Sequence, residues 1–266
     1  MRIKFLKKIS VIVFLSIVLL SCDQKVITNS GVPSKARQVS VANEAPAPLK
    51  SRPQTIELAI EKISSAEFIS AKQRAKVNIP LEKITDLKIV QGKLAGIVEF
   101  EEQGNYLGIK KINFRNGHSV QNEVDLSECA FVSYFPSEDV LLLECGHTMD
   151  VSFDLSTGQT TYEVGNLNLV TISPSGKYRL NKIFEGQECY SHFIQVRDNG
   201  KFKKIAELND FFEKKTGKWL CVIEQEFWSD DSTLYFGLLT EYKEEGNEYE
   251  FYRVNMTNGS KIQVLL

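Results

Sequence analysis

The feature of the sequence that most limits its fold is a series of short strand-like runs that begins at Leu81. From there onward apolar and polar residues alternate in runs separated by turn residues, a pattern typical of half-buried β-strands. The turns are of two kinds. Turns of the first kind join two strands and lie at Gln91-Gly92-Lys93, Pro136-Ser137-Glu138-Asp139, Ser173-Pro174-Ser175-Gly176 and Ser229-Asp230-Asp231-Ser232.

Turns of the second kind each end in glycine, which supplies the positive φ that a tight hairpin demands. They lie at Arg115-Asn116-Gly117, Ser156-Thr157-Gly158, Asp198-Asn199-Gly200 and Thr257-Asn258-Gly259. The first three of these glycines recur about every 40 residues, which is a typical length for a four-stranded repeat. The pattern therefore predicts a mainly β domain over residues 81 to 266, built from about four propeller-like, four-stranded antiparallel units.

Two of these turns lie in segments that resemble a known repeat. The segments from Ile172 to Tyr178 and from Phe227 to Tyr235 resemble the strand-turn-strand motif of TolB-like and WD40-like β-propellers. The resemblance implies a fold shape and no particular activity. The alternative is an irregular β-sandwich or open sheet that reuses hairpin turns.

A different period precedes the strands, in residues 54 to 80. Ile56, Ile60 and Ile63 can share one helical stripe, and Ser64 and Glu67 have the spacing of a capping box. We therefore predict a short helical segment before the β domain, which ends at Pro80.

The third unit contains about 17 residues more than its neighbours. The excess lies in residues 207 to 221, which we interpret as a short helix and a loop rich in lysine. Insertions of this kind lie on one rim of a repeat protein, where partners usually bind. The sequence therefore offers two interpretations of this insertion: a rim that contacts another envelope protein or a small ligand, or a solvated decoration without a partner.

The first 21 residues have the organisation of a secretion signal. A basic start is followed by an apolar run from Ile9 to Leu20, which is too short for a permanent membrane span. The residues Leu19-Leu20-Ser21-Cys22 resemble the lipobox of bacterial lipoproteins, in which the cysteine is acylated and becomes the new N-terminus. The resemblance implies lipidation at Cys22, a membrane anchor, and a body in the periplasm or at the cell surface.

Residues 22 to 53 contain no aromatic residue and four of the seven prolines, so we interpret them as a disordered tether. Four of the 32 basic residues lie in the signal, so the processed chain would carry 28 basic against 34 acidic side chains. A protein with this balance lacks the basic surface that general nucleic-acid binding requires. We therefore expect no nucleic-acid partner.

With Cys22 assigned to lipid, the domain has four other cysteines. An even number in an exported domain suggests two disulfides, with three possible connectivities. Cys129 and Cys145 flank one predicted hairpin, so we prefer that pair, which leaves Cys189 to pair with Cys221. The alternative is a zinc site.

The zinc alternative rests on two short spacings, Cys145 to His147 and Cys189 to His192. The common catalytic motifs of serine hydrolases, nucleotide-binding loops and zinc proteases do not occur in the sequence. We interpret His118, which follows a hairpin glycine, as a turn residue rather than a catalytic base.

Five other conspicuous residues have structural interpretations. Asp230 and Asp231 resemble a carboxylate pair for acid-base chemistry, but aspartates at these turn positions usually bind the local backbone. Trp219, Trp228 and Tyr235 are spaced as strand residues and are predicted to pack in the core.

These observations predict a membrane-tethered binding or scaffold lipoprotein of the cell envelope, with no cofactor, metal or catalytic residue. One alternative is an envelope hydrolase that depends on His118, His147 or His192. Another is a structural or colonisation factor at the cell surface.

Overall fold

A computed structural model of the chain describes residues 56–76, 78, 80–103, 106–120, 126–146, 148–186 and 189–258. The predicted signal, the lipidated Cys22 and the tether lie outside these residues. The strands are β1 (Ile56–Ile63), β2 (Val98–Gln103), β3 (Tyr106–Ile112), β4 (Cys129–Phe135), β5 (Val140–Cys145), β6 (Met149–Asp154), β7 (Thr171–Ile172), β8 (Tyr178–Phe184), β9 (Tyr190–Asp198), β10 (Lys201–Glu207), β11 (Ile223–Trp228), β12 (Thr233–Glu241) and β13 (Glu248–Asn258). The helices are α1 (Ser65–Arg74), α2 (Leu87–Lys93), α3 (Thr161–Val164) and α4 (Leu208–Thr216).

The strands form three antiparallel sheets, which follow one another along the chain. Sheet I has the order β2-β3-β4-β5-β6, sheet II the order β10-β9-β8-β7, and sheet III the order β1-β13-β12-β11. The prediction of a mainly β protein is confirmed. The number of units is corrected from four to three, and within the described ranges no strand pairing closes the sheets into a barrel. The arrangement is therefore closer to the predicted sandwich-like alternative than to a closed propeller.

The missing fourth unit is explained by the segment around Gly92. The predicted turn at residues 91–93 is the last part of helix α2, which begins where the Asp86 side chain accepts a hydrogen bond from the Ile89 N–H at 2.9 Å. The first unit therefore keeps only the β2–β3 hairpin. This hairpin joins β4 through one residue pair, Gly108 with Ala130, and becomes the edge of sheet I.

The predicted helix at the start of the domain is only half correct. Residues 56–63 form strand β1, which pairs with β13 over its whole length. The spacing from Ile56 to Ile60 fits both a helical and a strand period, but Leu58 between them faces the same core, as only a strand allows. The second half is helix α1, which begins where Ser64 Oγ accepts from the Glu67 N–H at 3.2 Å.

Sheets II and III pack against each other around the largest hydrophobic core. It contains Leu180 and Ile194 from sheet II and Leu234 and Phe236 from sheet III, all fully buried. Each such side chain contributes about 1.5–3 kcal/mol when it leaves water. None of the helices in the described part of the chain is long and apolar enough to cross a membrane.

Sheets I and II are joined by a closely packed connection that includes Gly165. Gly165 has φ +78°, and a Cβ at this position would lie 2.3 Å from the buried side chain of Asn181. Asn181 Nδ2 donates to the Val164 carbonyl oxygen at 2.8 Å. Glycine is therefore required here for both its conformation and its size.

Candidate functional site

The three sheets have two distinct ends, which we name by what they carry. The turn end carries the turns at residues 136–139, 173–177 and 229–232. The disulfide end is the opposite one, where β5, β8 and β12 end and β6, β9 and β13 begin. Backbone hydrogen bonds connect neighbouring sheets at the disulfide end, such as the one from the Tyr190 N–H to the Cys221 carbonyl oxygen at 3.1 Å.

Both disulfides lie at the disulfide end. Cys129 is bonded to Cys145 with an S–S distance of 1.93 Å, and Cys189 to Cys221 with 2.04 Å. These are the pairs that the sequence analysis preferred. Sulfurs held in disulfides cannot act as thiolate ligands, and the described residues contain no group of three potential metal ligands. Of the two histidines in the zinc alternative, His147 lies outside the described residues.

The predicted insertion forms helix α4 and a loop, and it is firmly attached to the domain. Phe212 is fully buried, with its ring centroid 4.8 Å from that of Tyr252. Asn209 Nδ2 donates to the carbonyl oxygens of Tyr190 at 3.1 Å and Leu220 at 2.8 Å. Together with the Cys189–Cys221 bond, these contacts hold both ends of the insertion in place.

Trp219 does not pack in the core, contrary to the prediction. It is 70% exposed and lies in the loop between α4 and β11, where the next residue, Leu220, takes the buried position. Trp228 and Tyr235 are buried, as predicted. An exposed tryptophan on a well-anchored loop is a typical interface residue, because it offers a large contact area at low entropic cost.

Trp219 shares the insertion with several other exposed side chains. Phe211 is partly exposed, and Lys214, Lys215 and Lys218 are exposed. Lys218 Nζ lies 2.7 Å from a Glu250 carboxylate oxygen, so one of the three lysines is already paired. We call these five residues, Phe211, Lys214, Lys215, Lys218 and Trp219, the α4 surface.

His192 is fully buried beneath the insertion. Its Nδ1 lies 3.2 Å from Asn209 Oδ1, and its Nε2 has no hydrogen-bond partner among the described residues. Burial, followed by the charge of Lys182, lowers the pKa of His192 to about 3. A sealed, neutral imidazole packs as a core residue and has no access to a substrate.

His118 and the aspartate pair lie in turns, as the sequence analysis interpreted them. The His118 N–H donates to Asn116 Oδ1 at 3.0 Å in an exposed turn. Asp230 Oδ1 accepts from the Ser232 N–H at 2.7 Å, and Asp231 Oδ1 accepts from the Ser175 N–H at 2.9 Å. Asp231 therefore links the turns of sheets II and III.

A groove of about 390 Å³ lies between sheets I and II at the disulfide end. Its lining is mostly apolar and comes from β6, β8 and the start of α3: Met149, Asp150, Val151, Phe153, Thr160, Thr161, Tyr162, Ile183, Phe184 and Glu185. Sequence analysis did not single out any of these residues, because β6 and β8 are separate in sequence and meet only in the fold. The one available signal was Tyr162, an aromatic residue in a polar stretch after a turn.

Asp150 is the charged residue deepest in this groove. Its Oδ1 accepts from Asn166 Nδ2 and its Oδ2 from the Phe184 N–H, both at 2.8 Å. Burial raises the pKa of Asp150, although these two hydrogen bonds oppose the shift. The carboxylate thus links β6 to β8 while it faces the groove.

No known protein-family model, curated protein sequence or solved structure matches this chain. The function is therefore inferred from the residues and their geometry.

Proposed function

We propose that this protein is a lipoprotein of the bacterial cell envelope that acts as a binding module, and that it binds a protein partner through the α4 surface. The observation that carries the proposal is Trp219, which is 70% exposed on an insertion fixed by a disulfide and by Asn209. Large exposed aromatic residues on a rigid base are the residues that dominate binding energy at protein interfaces.

The cellular location in this proposal rests on the signal and the lipobox-like residues before Cys22. Acyl chains on this cysteine would hold the domain at a bilayer, since each buried CH₂ contributes about 0.8 kcal/mol. Residues 22 to 53 would act as the tether between the bilayer and the domain.

The scaffold in this proposal is the repeat itself. Three consecutive antiparallel sheets, with β1 from the start of the domain completing the sheet of β11, β12 and β13, form a binding module with fewer units than the sequence pattern predicts. In such modules the connections between strands carry the binding residues, and the α4 surface lies on the connection between β10 and β11.

Site-specific photo-crosslinking tests the binding function. A photoreactive phenylalanine at position 215, another exposed position of the α4 surface, is expected to form one dominant adduct in intact cells of the source bacterium. Trp219→Ala should reduce the adduct at least tenfold, because truncation of a central aromatic anchor costs about 2 kcal/mol or more. Tyr106→Ala, which removes an exposed aromatic residue of sheet I, is the matched control and should leave the adduct unchanged.

Two outcomes contradict the binding proposal. One is the absence of any adduct at position 215, and the other is an adduct that persists at full yield with Trp219→Ala. Deletion of the whole insertion is a poorer test, because Leu208 and Phe212 belong to the core and the domain would lose stability.

Metabolic labelling with a radioactive fatty acid tests the lipid anchor. The label is expected on the processed protein, which would begin at Cys22, and should be lost with Cys22→Ser. Cys189→Ser is the matched control, because it also removes a cysteine but lies in the folded domain. Label that remains after Cys22→Ser would contradict the anchor and leave the α4 surface proposal standing.

A further inference from the structure

The groove between sheets I and II has an unusual combination of charge and shape. Two of its lining residues, Asp150 and Glu185, are acidic, and none of them is a lysine, arginine or histidine. Asp150 forms no ion pair with any residue in the described ranges. Lys204, which lines the neighbouring hollow beyond Tyr162, is paired with Glu207 at 2.7 Å.

Aromatic and thioether side chains form the rest of the wall. Tyr162 is 60% exposed, Phe184 is half-buried, and Met149 lies at the mouth of the groove. A cation over an aromatic ring is attracted by the negative face of the ring, and a nearby carboxylate adds a direct ionic contact. The groove therefore offers an apolar surface together with negative charge that has no counter-ion among its own lining residues.

We propose that this groove binds a small organic cation, an ammonium or guanidinium group carried on an apolar body. The cationic head lies against Asp150, with Glu185 at the rim, and the apolar body packs on Tyr162, Phe184 and Met149. The volume of about 390 Å³ is within the usual range for small-molecule sites. The groove is separate from the α4 surface, so cation binding in the groove and partner binding at the α4 surface can be tested independently.

The two hydrogen bonds of Asp150 are compatible with this role. Each carboxylate oxygen accepts one bond from the protein and keeps further lone pairs for a ligand. The same two bonds orient the carboxylate, because Asn166 is itself buried and cannot turn freely. The purely structural alternative, in which Asp150 only links the sheets, predicts no preference for cations.

Calorimetric titration of the folded protein tests the proposal with three compounds that share a phenylethyl body and differ in the charge of the attached group. The compounds are phenethylamine, the neutral phenethyl alcohol and the anionic phenylpropionate. We expect the amine to bind at least tenfold more tightly than the alcohol, and phenylpropionate to show no saturable binding. Equal affinity for amine and alcohol, or no saturable binding of the amine up to about 10 mM, would overturn the proposal.

Variants locate the site. Asp150→Asn should abolish the preference for the amine, and Tyr162→Ala should weaken amine binding about fivefold through the lost cation–π contact. Glu185→Gln removes a rim charge without a buried contact, so it tests the charge effect even if Asp150→Asn fails to fold. Amine binding that survives both Tyr162→Ala and Glu185→Gln at full strength would overturn the assignment, and Tyr106→Ala is the matched control.

A further titration distinguishes a free ligand from the side chain of a protein partner. Lysine capped at both its amino and carboxyl groups presents only the side-chain ammonium. Phenethylamine is expected to bind more tightly than capped lysine, because the ring fills the apolar wall. Tighter binding of capped lysine would overturn the proposal of a free small molecule and indicate a basic peptide instead.

Discussion

The two ends of the sheets are held together by different means. At the turn end, neighbouring sheets are linked by polar side chains: Arg179 of sheet II is buried and donates from Nη1 to Glu138 Oε1 of sheet I at 2.7 Å. At the disulfide end, Cys129–Cys145 joins two strands of sheet I, and Cys189–Cys221 joins the segments that precede β9 of sheet II and β11 of sheet III.

The comparison shows how a loop can expose an aromatic ring and still keep its position. At the turn end, buried polar groups need hydrogen-bond partners. The turns there are therefore restricted to residues that supply such partners. A disulfide fixes the position of a loop independently of the interactions of the other side chains in that loop. The loop that precedes Cys221 therefore exposes Trp219 to solvent without losing its position.

The largest expected effect is at the turn end. Glu138→Ala would leave the guanidinium of Arg179 buried without a carboxylate, although Gln195 Oε1 still accepts from its Nε at 2.6 Å. We expect the free energy of unfolding, measured by urea denaturation, to fall by about 3–5 kcal/mol. The combination of Arg179→Met with Glu138→Leu should recover most of this loss, because it leaves no buried charge.

A neighbouring ion pair provides the control for that variant. Asp139, which lies in the same turn as Glu138, forms an ion pair with Arg115 at 2.7 Å, but the Arg115 side chain is 44% exposed. Arg115→Ala should therefore cost no more than about 1 kcal/mol. Equal losses for Glu138→Ala and Arg115→Ala would contradict the distinction between buried and exposed pairs at this end.

The next effect is the loss of a disulfide. Removing either bond by double Cys→Ser substitution should lower the free energy of unfolding by about 2–4 kcal/mol. The Cys189–Cys221 bond closes 32 positions and the Cys129–Cys145 bond 16, so the former should contribute about 0.6 kcal/mol more. The reverse order, in matched urea titrations, would show that native contacts such as those of Asn209 outweigh chain entropy.

The third expected effect is a loss of stability at low pH, caused by His192 at the disulfide end. The unfolded chain binds a proton at His192 near pH 6.5, whereas the folded chain binds it only near pH 3. The stability from this residue is therefore complete above pH 6.5 and is lost as the pH falls, by up to about 1.4 kcal/mol per pH unit. Urea denaturation at pH 6.5 and 5 should detect the loss, and His192→Leu should remove it.

The same pH range keeps the test specific. The pKa of Glu250 is lowered to about 2 by hydrogen bonds from Lys218 and then Lys62, so its stabilisation is present above pH 4.5 and lost only below that value. An unchanged slope between pH 6.5 and 5 in the His192→Leu variant would assign the pH dependence to other groups.

The smallest effects are expected where function is proposed. Trp219→Ala and Tyr162→Ala remove exposed rings, so each should change the free energy of unfolding by no more than about 0.5 kcal/mol. Thermal unfolding followed by circular dichroism checks this. A large loss of stability at either position would mean that the ring has a structural role, and it would weaken the corresponding binding proposal.

Local signals in the sequence predicted much of the fold. The turns at residues 136–139, 173–176 and 229–232 lie where the pattern placed them, because proline fixes φ, glycine allows positive φ and aspartate binds the local backbone. Strand β1 could not be predicted in this way. Its partner β13 is remote in sequence, and the four-residue spacing from Ile56 to Ile60 fits a helix as well as a strand.

The candidate sites were predictable only in part. The extra length between β10 and β11 pointed to the α4 surface, but the exposure of Trp219 depends on which of two adjacent residues, Trp219 or Leu220, turns inward. The groove was not predictable, because Asp150 and Phe184 are brought together by the packing of sheet I on sheet II. A residue's spacing carries no information about a neighbour contributed by another sheet.

The pairing of β1 with β13 has a consequence for the order of folding. Glu61 and Arg253, which face each other across these strands, are 192 positions apart in the chain. Sheets I and II pair strands that follow one another, so each can form from a continuous stretch. Sheet III is complete only after the distant strands β1 and β13 have paired. The entropic cost of closing this long loop predicts that their pairing is the slowest step of refolding. Joining the neighbouring residues 56 and 258 by a short linker, with new ends in the loop at 243–247, would make this encounter local and should accelerate refolding.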